Sequence, residues 1–143
     1  MSEKLRVVQF ESPFGAPDAD GVVRNVAYAL AGMRDSLQRG EAPFASHLLY
    51  TQMLDDTIAD ERAMGIDAGL EIGKAAELTV VYADLGVSRG MQYGIDKANE
   101  IGRPVEFRHL YAPLLETALL YEQILTRSPL DPQLIRQIYA RGM

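Results

Sequence analysis

The chain has 143 residues, 48% apolar and 24% charged, which suits one globular domain with its own core. It contains no cysteine, so disulfides, thiolate catalysis and cysteine metal sites are excluded. A formal net charge of −6 argues against general nucleic-acid binding, although a small anion responds to its local site more than to the whole surface. His47 and His109 lie far apart and form no ligand motif, so neither a metal nor another cofactor is expected. No apolar run approaches the ~20 residues that span a bilayer, and no membrane association is expected. Met1-Ser2-Glu3-Lys4 leads straight into a strand with no signal peptide, which points to the cytoplasm.

Leu5 to Phe10 reads as the first strand. Glu11-Ser12-Pro13-Phe14-Gly15-Ala16-Pro17 is a turn rich in Pro and Gly. Asp18 to Gly21 leads into a helix over about 22–39. Val22, Val26, Ala29, Leu30, Met33 and Leu37 give it an apolar face, and Gly40 suits its end. Arg24 and Asn25, in its first turn, either contact an anion near Ser12 or form a solvated surface pair. Ala42 to Tyr50 is a mostly apolar connection with a short strand near Phe44, and 51–58 is a loop carrying Asp55-Asp56. A helix over about 60–74 should turn Ala63, Ile66, Leu70 and Gly73 inward.

The stretch 78–98 organises the rest. Leu78 to Ala83 is apolar and β-branched, as in a strand buried on both faces. A polar turn, Asp84 to Ser88, follows, and Ser88 suits the N-cap of a helix over 89–101. Gly90 leaves the backbone bare where unpaired N–H groups and the helix dipole favour a phosphate or carboxylate. On the blander reading Ser88 only caps and Gly90 only packs. The 5–39 unit has the same strand-turn-helix form, and two such turns side by side make one pocket. Another strand is expected over 104–108, then helices over 113–126 and 132–140, the last with Asp131 as cap and Pro132 at its first position. Strands alternating with helices predict a three-layer α/β fold with a mainly parallel sheet of four or five strands. The whole of 1–143 reads as a single domain, with 112–143 as a C-terminal helical segment for packing or oligomerisation. In that segment Leu114, Leu115, Leu119, Tyr121, Ile124, Ile138 and Tyr139 offer more apolar surface than one small sheet face covers and are expected at a homo-oligomer contact.

Phe10-Glu11-Ser12-Pro13-Phe14, the apolar strand, Ser88-Arg89-Gly90 opening a helix and Gly102-Arg103-Pro104-Val105 occur in an order that resembles the nucleoside 2-deoxyribosyltransferase-like superfamily. That superfamily includes deoxynucleotide and CMP N-glycosidases. The likeness is greatest to a small bacterial and phage branch, and runs from about Val7 to Leu110. It implies a Rossmann-like fold, a nucleotide-like ligand and a homo-oligomer, dimer-based. It implies that Ser88 and Gly90 bind the 5′ end or phosphate of the ligand. With the two turns and helix starts read above, the expected ligand or phosphate cradle is Ser12, Pro13, Phe14, Arg24, Asn25, Ser88, Arg89, Gly90 and Met91. The superfamily's catalytic glutamate, four residues after the Ser-x-Gly glycine, falls on Gly94, which has no carboxylate.

Glycosidic cleavage passes through an oxocarbenium-like state and needs a carboxylate near the anomeric carbon, with help for the leaving base. Asp96 lies about 200° around the helix from Gly94 and should point elsewhere. Asp84, at the strand end, is the best placed catalytic substitute. Asp55, Asp56, Glu61, Glu71 and Glu11 are further candidates, each also readable as a turn or surface carboxylate. Two functions follow. One is a binder of a nucleotide or nucleotide-derived molecule without the usual glutamate. The other is an N-glycosidase or deoxyribosyltransferase with a relocated carboxylate. A purely structural subunit is the weaker third. Gly94→Glu should restore the superfamily's geometry.

Overall fold

The computed structural model describes residues 4–111 and 116–143. Strand β1 (Arg6–Glu11) leads through a loop to helix α1 (Ala19–Gln38), and β2 (Glu41–Phe44) follows. A one-turn helix α2 (Ser46–Leu49) and a 3-10 turn (Tyr50–Gln52) precede α3 (Ala59–Gly73). Next come β3 (Leu78–Tyr82), α4 (Arg89–Glu100), β4 (Val105–Arg108), α5 (Thr117–Thr126) and α6 (Pro132–Tyr139). The four strands form one parallel sheet in the order β2-β1-β3-β4, with helices on both faces. The expected three-layer α/β fold is therefore the fold observed. The expected helix beginning near Pro113 is seen only from Thr117, because 112–115 lie outside the described residues.

The alternation of β1 separates the two faces, since neighbouring side chains on a strand point oppositely. Val8 and Phe10 face α1, where Phe10 stacks on Tyr82 with ring centroids 5.0 Å apart. A Cβ on Gly32 of α1 would come within 2.8 Å of the Phe10 ring, so the helix can approach this closely only as glycine. Val22, Val26, Tyr28, Ile124 and Ile135 complete the main core, and α5 and α6 pack on α1. Leu37, expected on the inner face of α1, is 58% exposed because it lies in the last turn, past the edge of this core.

Gln9 and Glu11 face the other way, towards α3 and α4. There the buried apolar cluster is small, comprising Val81, Met91 and Ile95. All five residues of β3 are buried, as a strand covered on both faces requires. On α3 only Gly69 and Gly73 are buried. Their missing side chains let the helix sit against Ser46 and Gln9. Ala63, Ile66 and Leu70, expected to point into a core, line a cavity instead.

The segment after α1 also differs from expectation. Ser46 to Gln52 is helical rather than a plain connection and loop, and it is tied down by the C-terminus. The Tyr139 hydroxyl donates to the Leu48 carbonyl at 2.8 Å, and Arg141 donates to the Gln52 carbonyl. Ile124, expected on an oligomer surface, is fully buried, whereas Leu119 is exposed and Ile138 and Tyr139 are half-buried. Leu114 and Leu115 lie outside the described residues. Among those described, no helix is long and apolar enough to cross a membrane.

Candidate functional site

The chain leaves β1 towards the α1 face and leaves β3 towards the α4 face. Open parallel sheets keep a crevice at the carboxyl ends of strands where successive connections part in this way. A cavity of about 590 Å³ occupies this place. Its floor is Gln9 and Glu11, one wall is Ser46, His47 and Tyr50, and α3 supplies a second. The start of α4, Ser88 to Met91, forms the rim.

The two turns singled out in the sequence do meet here. Ser12 and Phe14 from the first, and Ser88, Arg89, Gly90 and Met91 from the second, line the same cavity. Ser88 caps α4, its hydroxyl oxygen accepting from the Met91 N–H at 3.3 Å. That donor, expected to face an anion, is therefore occupied by the cap, while the Ser88 hydroxyl keeps its own hydrogen to donate. A Cβ on Gly90 would lie 3.4 Å from Nη2 of Arg62, so an arginine of α3 reaches the bare start of α4. Arg62 also pairs with Asp56 at 2.7 Å. Its part in the rim left no local trace in the sequence, because it depends on α3 packing beside α4.

The other expected residues lie elsewhere. Pro13 is buried in the first turn but does not line the cavity. Asn25 holds that turn, its amide donating to the carbonyls of Phe14 at 2.9 Å and Gly15 at 3.3 Å. Arg24 turns away to α5, its guanidinium 3.7 Å from the centre of the Tyr121 ring. Asp84 is absorbed by the fold. Its Oδ1 accepts from the Tyr28 hydroxyl at 2.5 Å and the Leu110 N–H at 2.7 Å, and its Oδ2 from the Tyr111 N–H at 3.0 Å. It thus clamps the chain leaving β4 to α1, on the far side of the sheet from the cavity floor.

The carboxyl group on the cavity floor is Glu11. A Cβ on Gly94 would come within 2.5 Å of Glu11 Oε2 and 2.7 Å of its Cδ. The space above Gly94 is therefore occupied by a carboxyl delivered from β1, and a side chain at Gly94 requires the Glu11 side chain to move aside. Burial pushes the Glu11 carboxyl up to about 8, against a smaller opposing pull from Arg103. Arg103 is itself engaged, donating to the Gly73 carbonyl at 2.7 Å and to Thr79 Oγ1 at 3.3 Å. Beside Glu11, Ser12 Oγ and His47 Nε2 are 2.8 Å apart, and desolvation holds His47 down at about 4. The imidazole is neutral, with Ser12 donating to Nε2 in the tautomer that carries its hydrogen on Nδ1. The nearby Gln9 Oε1 is buried without a partner against Gly73.

The site thus combines Arg62, Arg89 and a helix N-terminus at the rim, the carboxylates Asp56, Glu61 and Asp67 on the α3 side, and a floor of carboxyl, imidazole, hydroxyl and amide. Among the described residues no cluster of three or more His, Asp or Glu is placed to hold a metal ion.

A family model described as a domain of unknown function, DUF7768, matches residues 6–108, and the chain belongs to that family. The match covers all four strands and every residue of the cavity, and ends before α5 and α6. No curated protein and no solved structure matches.

Proposed function

We propose that this member of the DUF7768 family binds a nucleotide or nucleotide-derived small molecule in the cavity at the carboxyl ends of its strands. The anionic end lies against the start of α4, and the ring and sugar lie inside. The observation that carries this reading is Arg62 Nη2 beside the bare backbone of Gly90, with Arg89 on the same rim. A phosphate there gains charge-assisted hydrogen bonds and a favourable dipole. The volume of about 590 Å³ is in the range that encloses a small-molecule ligand. The resemblance to nucleoside 2-deoxyribosyltransferases supports the same ligand class.

A second reading, cleavage of an N-glycosidic bond, is favoured by the Glu11 carboxyl filling the space above Gly94. A carboxyl that keeps its proton up to about pH 8 suits general acid catalysis better than nucleophilic attack. Glu11 would protonate the departing base as the C–N bond breaks. Water would then bond to the anomeric carbon and return a proton to Glu11. On this reading the catalytic carboxyl is Glu11 rather than Asp84, and it acts on the leaving base rather than at the anomeric carbon.

Mass spectrometry of material extracted from the purified protein, with a nucleotide panel monitored for free base, tests both readings. A co-purifying or titrating nucleotide with no base release supports the binder. Release abolished by Glu11→Gln but kept by a folded Asp84→Asn supports the enzyme. Failure of every nucleotide to bind or react overturns both.

A further inference from the structure

We propose that Glu11 contacts the ligand as an uncharged carboxyl and sets its specificity, selecting a neutral ring whose edge offers a hydrogen-bond acceptor beside a donor. The inference rests on the nucleotide-type reading above and states what the ring must present.

Glu11 ends β1 and projects onto the cavity floor, where the backbone of α4 at Gly94 closes one side. Among the described residues no Lys, Arg or His nitrogen lies within 4.0 Å of its oxygens. The cation whose field reaches it, Arg103, spends its guanidinium on Gly73 and Thr79. Glu11 is half-buried on the cavity floor, and a carboxylate partly withdrawn from water without an ion pair favours holding its proton.

Asp56, Glu61 and Asp67, from α3 and the loop before it, line the same cavity, but the charge whose field reaches Glu11 is that of Arg103. Arg62 and Arg89 sit towards the rim, and Arg62 is engaged by Asp56. From α2 and the turn after it come His47, held neutral by desolvation, and Tyr50, while α4 adds Tyr93.

A neutral carboxyl has one O–H donor and one carbonyl acceptor side by side, so it pairs in two places with an amide- or amidine-type ring edge. The ionised form only accepts. It loses the bond to the ring's acceptor and adds a charge of the same sign as the ligand's phosphate. Gln carries the same donor-acceptor pair without a proton to lose.

The probes are adenosine and cytidine 5′-monophosphates, titrated calorimetrically into the full chain between pH 7 and pH 9. In that window their rings do not ionise, the phosphate has passed its second ionisation near 6, and His47 stays neutral. Wild-type affinity for at least one of them should fall about tenfold by pH 9, one unit above the Glu11 midpoint of about 8. Glu11→Gln should bind within about threefold of wild type at pH 7 and stay level to pH 9, while Glu11→Ala should be weak throughout. A wild-type profile that is flat across the window overturns the inference and leaves the nucleotide reading standing. So does a folded Glu11→Gln as weak as Glu11→Ala. Binding of neither nucleotide at any pH overturns both. The wild-type profile needs no variant, so a misfolded mutant cannot hide the answer.

Discussion

The two faces of the sheet are built from the same strands and serve opposite ends. On the α1 face, β1 contributes Val8 and Phe10, both with no exposed surface, to a core closed by Tyr28, Tyr82, Ile124 and Ile135. On the α3–α4 face the same strand contributes Gln9 and Glu11, and two buried glycines of α3 stand where side chains would fill a core. One face gains its stability from apolar burial at about 25 cal/mol per Å². The other forgoes much of that gain and keeps polar groups and space. The C-terminal helices strengthen the division. They complete the core on one side, and through Tyr139 they brace the α2 segment and Phe14 at the cavity wall.

Phe10→Ala should sharpen this contrast most. It removes a fully buried ring stacked on Tyr82 and should cost about 3–5 kcal/mol in urea unfolding. Glu11→Gln, one residue away, should be neutral or stabilising at pH 8. If the neighbouring substitutions cost the same, the division between the faces fails.

Asp84→Ala should come next, at roughly 2–4 kcal/mol, because the Leu110 and Tyr111 N–H groups and the Tyr28 hydroxyl lose a charged acceptor. Ligand affinity of the folded fraction should be unchanged. A loss of binding with stability intact would return Asp84 to the site.

The pH dependence is a subtler test. Glu11 releases its proton near 4.5 in the unfolded chain and near 8 in the folded one. The folded state binds the extra proton between these values, so this group's contribution to stability falls as pH rises through the window and levels off above 8. His47 acts oppositely. Its folded value of about 4 lies below the unfolded 6.5, so its contribution rises with pH between them. The two nearly cancel from about 4.5 to 6.5. From 6.5 to 8 only Glu11 acts, with a limiting slope of about 1.4 kcal/mol lost per pH unit. Urea midpoints across this range should show the decline, and Glu11→Gln should remove it.

Arg62→Ala should have the smallest effect on stability, under about 0.5 kcal/mol, because its pair with Asp56 is exposed. On the nucleotide reading it should weaken phosphate-bearing ligands about tenfold or more and leave the free nucleoside unaffected. Equal losses for nucleotide and nucleoside would remove Arg62 from the anion end.

Much of the fold was legible because its signals are local. The β-branched run at Leu78 to Tyr82, the 3.6-residue apolar period of α1 and the Ser88 and Asp131 caps each act within a few residues. They determined the element order, the parallel α/β class and the meeting of the Ser12 and Ser88 turns. The short helix at Ser46–Leu49 escaped because it is tied by distant residues, Tyr139 among them. The chemistry of the site was decided only in three dimensions. Glu11 and Asp84 look alike in sequence, each a carboxylate ending an apolar strand. Tertiary packing gives Asp84 three donors from α1 and the chain after β4, and gives Glu11 the empty space above Gly94. A side chain's charge state and freedom depend on which partners the fold brings to it, and those partners lie tens of residues away.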